Sequence, residues 1–114
     1  MLVRLCLFVG FVSASSSAFG QGAFVTGNQL YEDCSNTTSE TQQGYCLGFI
    51  TGVWETNRQF QNFTPKYICI NTAVSATQLK DVVMKYLGER PSLRRYSAES
   101  LTRAALRAAF PCPP

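Results

Sequence analysis

The cysteines of this chain fall into two groups, and that division limits what it can fold into more than any other feature. Cys6 lies in an apolar leader, Cys34, Cys46, Cys69 and Cys112 lie in the remainder, and there is no histidine anywhere. Four cysteines in an exported segment of fewer than about a hundred residues read as two disulfides stapling a small domain, not as a metal or thiol site.

The leader carries the three parts of a secretory signal. Arg4 supplies the positive start, Leu5 to Val12 an apolar stretch, and Ser13 to Gly20 a run of small residues with a processing site at Ala18-Phe19-Gly20. An apolar run of about 8 residues falls far short of the roughly 20 that a spanning helix needs. Cys6 lies at the start of that run instead of after it, which does not suit a lipid-anchored cysteine. The expectation is a signal peptide over residues 1–20 and a single mature domain over 21–114, outside the cytosol in an oxidising compartment, with no membrane span after cleavage. A domain of this size buries only about 60–65% of its unfolded surface, so its core leaves a thin margin. Two disulfides add roughly 2–4 kcal/mol each.

Charge excludes one class of partner. The net charge of +3 falls to +2 once Arg4 leaves with the leader, nine bases against seven acids, which is too weak for a nucleic-acid binder. Its distribution is uneven. From Gln21 to Phe60 four acids face Arg58 alone, and from Gln61 onward eight bases face Asp81, Glu89 and Glu99. Two readings stand: an ordinary solvated surface, or steering toward a protein partner or neighbouring subunit.

Pattern and capping predict an all-α fold, a small disulfide-stapled bundle of about four helices. Thr26…Gln29, Ser39…Gln42 and Ser75…Gln78 each have the spacing of a capping box, in which two side chains satisfy free N–H groups at a helix start. The first helix carries Leu30, Tyr31 and Cys34, and the second reaches Phe60. The third ends at Gly88, a residue suited to a left-handed cap. A fourth begins near Pro91 and ends at Phe110, before Pro111. In the third helix Leu79, Val82, Val83, Tyr86 and Leu87 form one apolar stripe. In the fourth, Leu93, Tyr96, Leu101, Ala104, Ala105 and Ala108 point inward, with Arg94, Arg95, Arg103 and Arg107 outward. The second helix is apolar nearly all round (Tyr45, Leu47, Phe49, Ile50, Val53, Trp54), which predicts a central helix covered on several sides.

Gly44, Gly48 and Gly52 fall four apart on that helix. Each costs about 1 kcal/mol relative to alanine in a helix interior, so close approach by another helix is the expected compensation. Packing within the subunit is favoured, with a self-association face as the second option. The stretch from Gln59 to Thr72 reads as a long connection tied down by Cys69. Asn36-Thr37-Thr38 and Asn62-Phe63-Thr64 fit the glycosylation acceptor pattern, which matters only in a eukaryotic secretory route.

Four cysteines allow three pairings. Two adjacent antiparallel hairpins bring Cys34 to Cys46 and Cys69 to Cys112 with no special path. Joining Cys46 to Cys69 would require the chain to return along a helix of about 20 residues, or about 30 Å.

Catalysis finds little support. A serine or cysteine nucleophile normally needs a nearby base, usually histidine. No C-x-x-C is present, and cysteine gaps of 12, 23 and 43 do not suit zinc. Glu32-Asp33 and Glu55 are the only set for paired-carboxylate chemistry, and adjacent acids on a helix diverge. No cofactor, metal or enzymatic activity is expected.

Several pieces, in order, resemble the Rap/Tai family of type VI secretion amidase immunity proteins. They are Gly27-Asn28-Gln29-Leu30-Tyr31 leading to Cys34; Cys46-Leu47-Gly48-Phe49-Ile50-Thr51-Gly52-Val53; and Cys69-Ile70, followed by Gln78-Leu79, Val82-Val83 and Lys85-Tyr86-Leu87. The closing run from Ala104 to Cys112, with Pro113 after it, is the most specific. Where family members tend to carry a proline after the third cysteine, Ile70-Asn71 stands here. The resemblance implies a periplasmic, all-helical, often homodimeric protein that binds and blocks a peptidoglycan amidase effector. Inhibitors of clefted enzymes commonly insert aromatic and arginine anchors. The candidates are Trp54, Glu55, Asn57 and Arg58 at the end of the second helix, and the cluster Arg94, Arg95 and Tyr96. Core packing competes for Trp54, and a solvated face for the charged residues. The alternative function is a small periplasmic helical chaperone or stress protein without a toxin partner. A structural envelope factor is a more distant third.

Overall fold

The computed structural model describes residues 25–60, 68–69 and 73–113. The expected signal peptide, most of the connection after the second helix and the Asn62 acceptor site lie outside those residues. The described chain holds four α-helices: α1 (Gly27–Ser35), α2 (Glu40–Phe60), α3 (Ala76–Glu89) and α4 (Ala98–Ala109), with a 3-10 turn at Pro91–Leu93. Each of the four packs against the other three. The all-α bundle is the predicted fold class.

Two of the expected capping boxes form in full. Thr26 accepts from the Gln29 N–H while Gln29 accepts from the Thr26 N–H, and Ser75 and Gln78 do the same. The third forms by half. The Ser39 hydroxyl accepts from the Gln42 N–H at 3.2 Å, but the Gln42 side chain turns to α1, donating to Asp33 Oδ1 at 3.0 Å and accepting from Asn36 Nδ2. That bond also occupies the amide of the first acceptor tripeptide.

The corner between α1 and α2 is closed by Gln43. Its Nε2 lies 3.2, 3.1 and 2.8 Å from the carbonyl oxygens of Asp33, Cys34 and Asn36. Those are carbonyls that a helix end leaves without intrahelical donors. Gln43 Oε1 in turn accepts from Lys80 Nζ on α3. One side chain thereby ties three elements.

Both cystines sit at such junctions. Cys34–Cys46 joins α1 to α2 with a Cα separation of 5.1 Å, and Cys69–Cys112 joins the strand of chain before α3 to that after α4 at 4.7 Å. The first is buried among Leu30, Ile50, Leu79, Val83, Leu87 and Leu106. Beside the second, the Cys69 N–H donates to the Phe110 carbonyl at 2.9 Å.

Several expectations need correction. Among the described residues of α2 only Cys46, Ile50 and Trp54 are buried, while Tyr45 is 43% exposed, so α2 is not covered all round. Leu47, Phe49 and Val53 are half-buried, and Gly44, Gly48 and Gly52 are exposed. An added Cβ at any of the three glycines would meet nothing within 4 Å, so no described helix packs closely on them. Gly88 is no cap, because α3 runs on to Glu89 and is closed by Arg90.

The fourth helix is interrupted. After the 3-10 turn the chain bends at residues 94–96, and α4 starts afresh with Ser97 accepting from the Ser100 N–H. That restart sets a different register. Ala98, Leu101, Thr102, Ala105 and Leu106 face the core, Leu93 and Ala104 are half-buried, and Tyr96 and Ala108 are exposed.

Residues 90–97 form a connector bolted to the start of α1. The Gly27 N–H donates to the Tyr96 carbonyl at 2.8 Å and the Asn28 N–H to the Arg94 carbonyl at 2.7 Å, while the Ala98 N–H donates to the Val25 carbonyl at 2.7 Å. Free first-turn donors of α1 are thus satisfied by the connector. The approach leaves no room for a side chain at Gly27. A Cβ there would lie 2.5 Å from Leu101 Cδ1 and 2.9 Å from both the Cα and the carbonyl oxygen of Arg94.

Two outcomes follow for stability. Gly27→Ala must push backbone aside and should lower the unfolding free energy by about 1–3 kcal/mol, read as a reduced urea midpoint. Gln43→Ala leaves carbonyls of α1 without a donor and should cost about 1–3 kcal/mol, against a smaller loss for Gln42→Ala, in the same denaturation experiment.

Candidate partner-binding surface

The two groups of anchor residues expected from the sequence are placed very differently. Trp54 is 7% exposed, with its indole edge-on to the Phe110 ring at 5.7 Å between centroids. It is a core residue. A buried aromatic in that position can orient the end of α2 but has no face left for a partner. Its neighbours Glu55 and Arg58 are exposed and Asn57 half-buried. No hydrogen bond, ion pair or ring contact joins them to Arg94, Arg95 or Tyr96 among the described residues.

The second group stays together on the connector. Arg94 is half-buried, its guanidinium 4.1 Å from the centroid of the Tyr31 ring on α1. Its Nε is buried without a hydrogen-bond acceptor. Arg95 lies 4.9 Å from the Tyr96 ring and donates to the Tyr96 hydroxyl at 2.9 Å. Tyr96 itself is 50% exposed. A large ring held half in water by its own neighbour is the kind of side chain that contributes strongly when a partner covers it.

Sequence reasoning missed a third stack. Arg90 lies 4.0 Å above the Tyr86 ring, with Nη1 3.4 Å from the Tyr86 carbonyl and 3.5 Å from Glu89 Oε2. The signal was present, since Tyr86 and Arg90 stand four apart. The third helix was expected to end at Gly88, which left Arg90 off that face. Tyr31, placed in the first helix only as an apolar residue, proves to be the platform for Arg94.

Small clefts flank this region. One, of about 290 Å³, runs between α3 and α4 and is lined by Lys85, Tyr86, Glu89 and Arg90 on one wall and by Ala105, Ala108 and Ala109 on the other. Another, of about 340 Å³, lies between α2 and α4, bordered by Gly48, Phe49, Gly52, Val53, Thr56, Glu99 and Arg103. Neither holds a nucleophile beside a base. Among the described residues no group of three or more acids and cysteines is placed to hold a metal ion, and no helix is long and apolar enough to cross a membrane. The surface offers shape, charge and aromatic rings.

No curated protein and no solved structure matches the chain. A family model described as Rap1a immunity proteins matches residues 26–112, a span that takes in both cystines, the connector and all four helices. The chain belongs to the Rap1a immunity protein family.

Proposed function

We propose that this protein is a periplasmic immunity factor that binds a peptidoglycan amidase effector of type VI secretion and blocks it by occlusion, with no chemistry of its own. The observation that carries this reading is the family match over residues 26–112. Two cystines suit an oxidising compartment, and the chain offers no histidine to run hydrolysis. The leader over residues 1–20 supplies the export route.

Within that reading the connector, with Arg94, Arg95 and Tyr96, is the surface that meets the effector. It is rigidly bolted to α1, so little conformational freedom is lost on binding. Glu55, Asn57 and Arg58 at the exposed end of α2 are a second contact region, and Trp54 supports them from the core. The exposed face of α2 that carries Gly44, Gly48 and Gly52, with Tyr45 beside them, is where a second copy would pack in a homodimer.

Mature protein mixed with a cell-wall amidase encoded beside its gene should form a complex at micromolar concentration and abolish release of peptide from peptidoglycan. Absence of any complex with such an amidase would remove this reading for that pair. Tyr96→Ala should weaken inhibition by about tenfold or more while leaving the circular dichroism spectrum unchanged.

A further inference from the structure

We propose that a strip of cations, Lys85 and Arg90 lining the cleft between α3 and α4 and Arg94 and Arg95 on the connector that follows, docks an acidic polypeptide segment, whose carboxylates meet the cations while its backbone enters the alanine-lined cleft. The inference rests on the immunity reading only for the identity of the protein that carries the segment.

Four cations occur in eleven residues here, and the only acid among them is Glu89. Among the described residues Lys85, Arg94 and Arg95 have no carboxylate within ion-pair distance, and Arg90 has only Glu89 at 3.5 Å. On α4, by contrast, Arg103 pairs with Glu99 one turn away. The strip is therefore an uncompensated positive field on a protein of low net charge.

The stacking adds geometry to the charge. A guanidinium laid over a ring still presents donors at its edge to a carboxylate, beyond those that Arg90 Nη1 and Arg95 Nη2 already spend within the chain and the buried Nε of Arg94. Three such stacks, at 4.0, 4.1 and 4.9 Å, hold Arg90, Arg94 and Arg95 in place before a partner arrives. Pre-placed donors lose less side-chain entropy on binding than free arginines.

Three features favour a polypeptide over an anionic lipid surface. The cleft that Lys85 and Arg90 line has Ala105, Ala108 and Ala109 on its α4 side, small side chains that leave room for a backbone. Glu89 lines it too, and repels a uniformly negative sheet but can accept from a peptide N–H. The strip also has four cations, the low end of what membrane attraction normally uses.

The test has two arms. In the first, the folded mature chain is titrated with an oligo-glutamate peptide and, separately, with oligo-lysine and with phosphatidylglycerol vesicles, followed by amide chemical shifts. Shifts confined to residues 85–96 and to α4 with oligo-glutamate alone, fading as salt rises from about 50 to about 300 mM, are expected. No shifts there, or binding to vesicles without peptide binding, overturns the proposal. In the second arm the triple variant K85Q/R90Q/R95Q is compared with wild type for amidase inhibition, with folding checked by circular dichroism. A loss of about tenfold or more, with a shallower salt dependence, is expected. Undiminished inhibition by a folded triple variant sinks the acidic-segment proposal and leaves the immunity reading intact. Failure of wild type to inhibit removes the immunity reading, and the peptide titration then decides the strip alone.

Discussion

Covalent closure at Cys34–Cys46 and Cys69–Cys112 holds the two helix pairs of this bundle in register. The core they enclose is small: leucines, alanines, Val83, Ile50, Ile68 and Trp54, with both cysteines of the first cystine among them. In so short a domain, buried apolar area leaves little surplus over the entropy of ordering the chain, and crosslinks supply part of the difference. Polar side chains then finish the helix ends. Gln43 serves α1, the Thr26 and Ser75 boxes serve the starts of α1 and α3, and the connector takes the first free donors of α1.

This arrangement decides where a binding surface can lie. The inward stripes of the helices are committed to the core, so the arginines and tyrosines near the α3–α4 bend are left outside. They are not loose, because backbone bonds to Gly27 and Asn28 hold the connector that bears them. Rigid display of aromatic and guanidinium groups on a stapled scaffold suits an immunity protein that binds a protein partner.

Much of the fold was legible in the sequence because its signals are local. Capping residues three apart and apolar stripes four apart report directly on hydrogen bonds and faces, and they gave four helices with two correct full boxes. The errors arose where tertiary contacts compete. Gln42 has the spacing to cap its own helix, yet Asp33 and Asn36 across the corner offer its amide both an acceptor and a donor. Ser97 caps α4 without a glutamine three residues on, so the restart of the helix had no paired signal and Pro91 was read as its beginning. For α2, apolar residues on every side suggested cover, but composition cannot say how many neighbours a chain has to give. On the candidate surface the sequence itself makes Arg94, Arg95 and Tyr96 neighbours. It could not show Tyr31 beneath Arg94, since 63 residues separate them and only the bolt at Gly27 makes them neighbours.

The two crosslinks close rings of very different size, 12 residues for Cys34–Cys46 and 43 for Cys69–Cys112. Shutting the larger ring is harder by about 1 kcal/mol of chain entropy. A folding chain therefore brings Cys34 to Cys46 more readily than Cys69 to Cys112. A Cys46 already bound to Cys34 is closed to Cys69, so the ease of the small ring steers the other two cysteines toward each other.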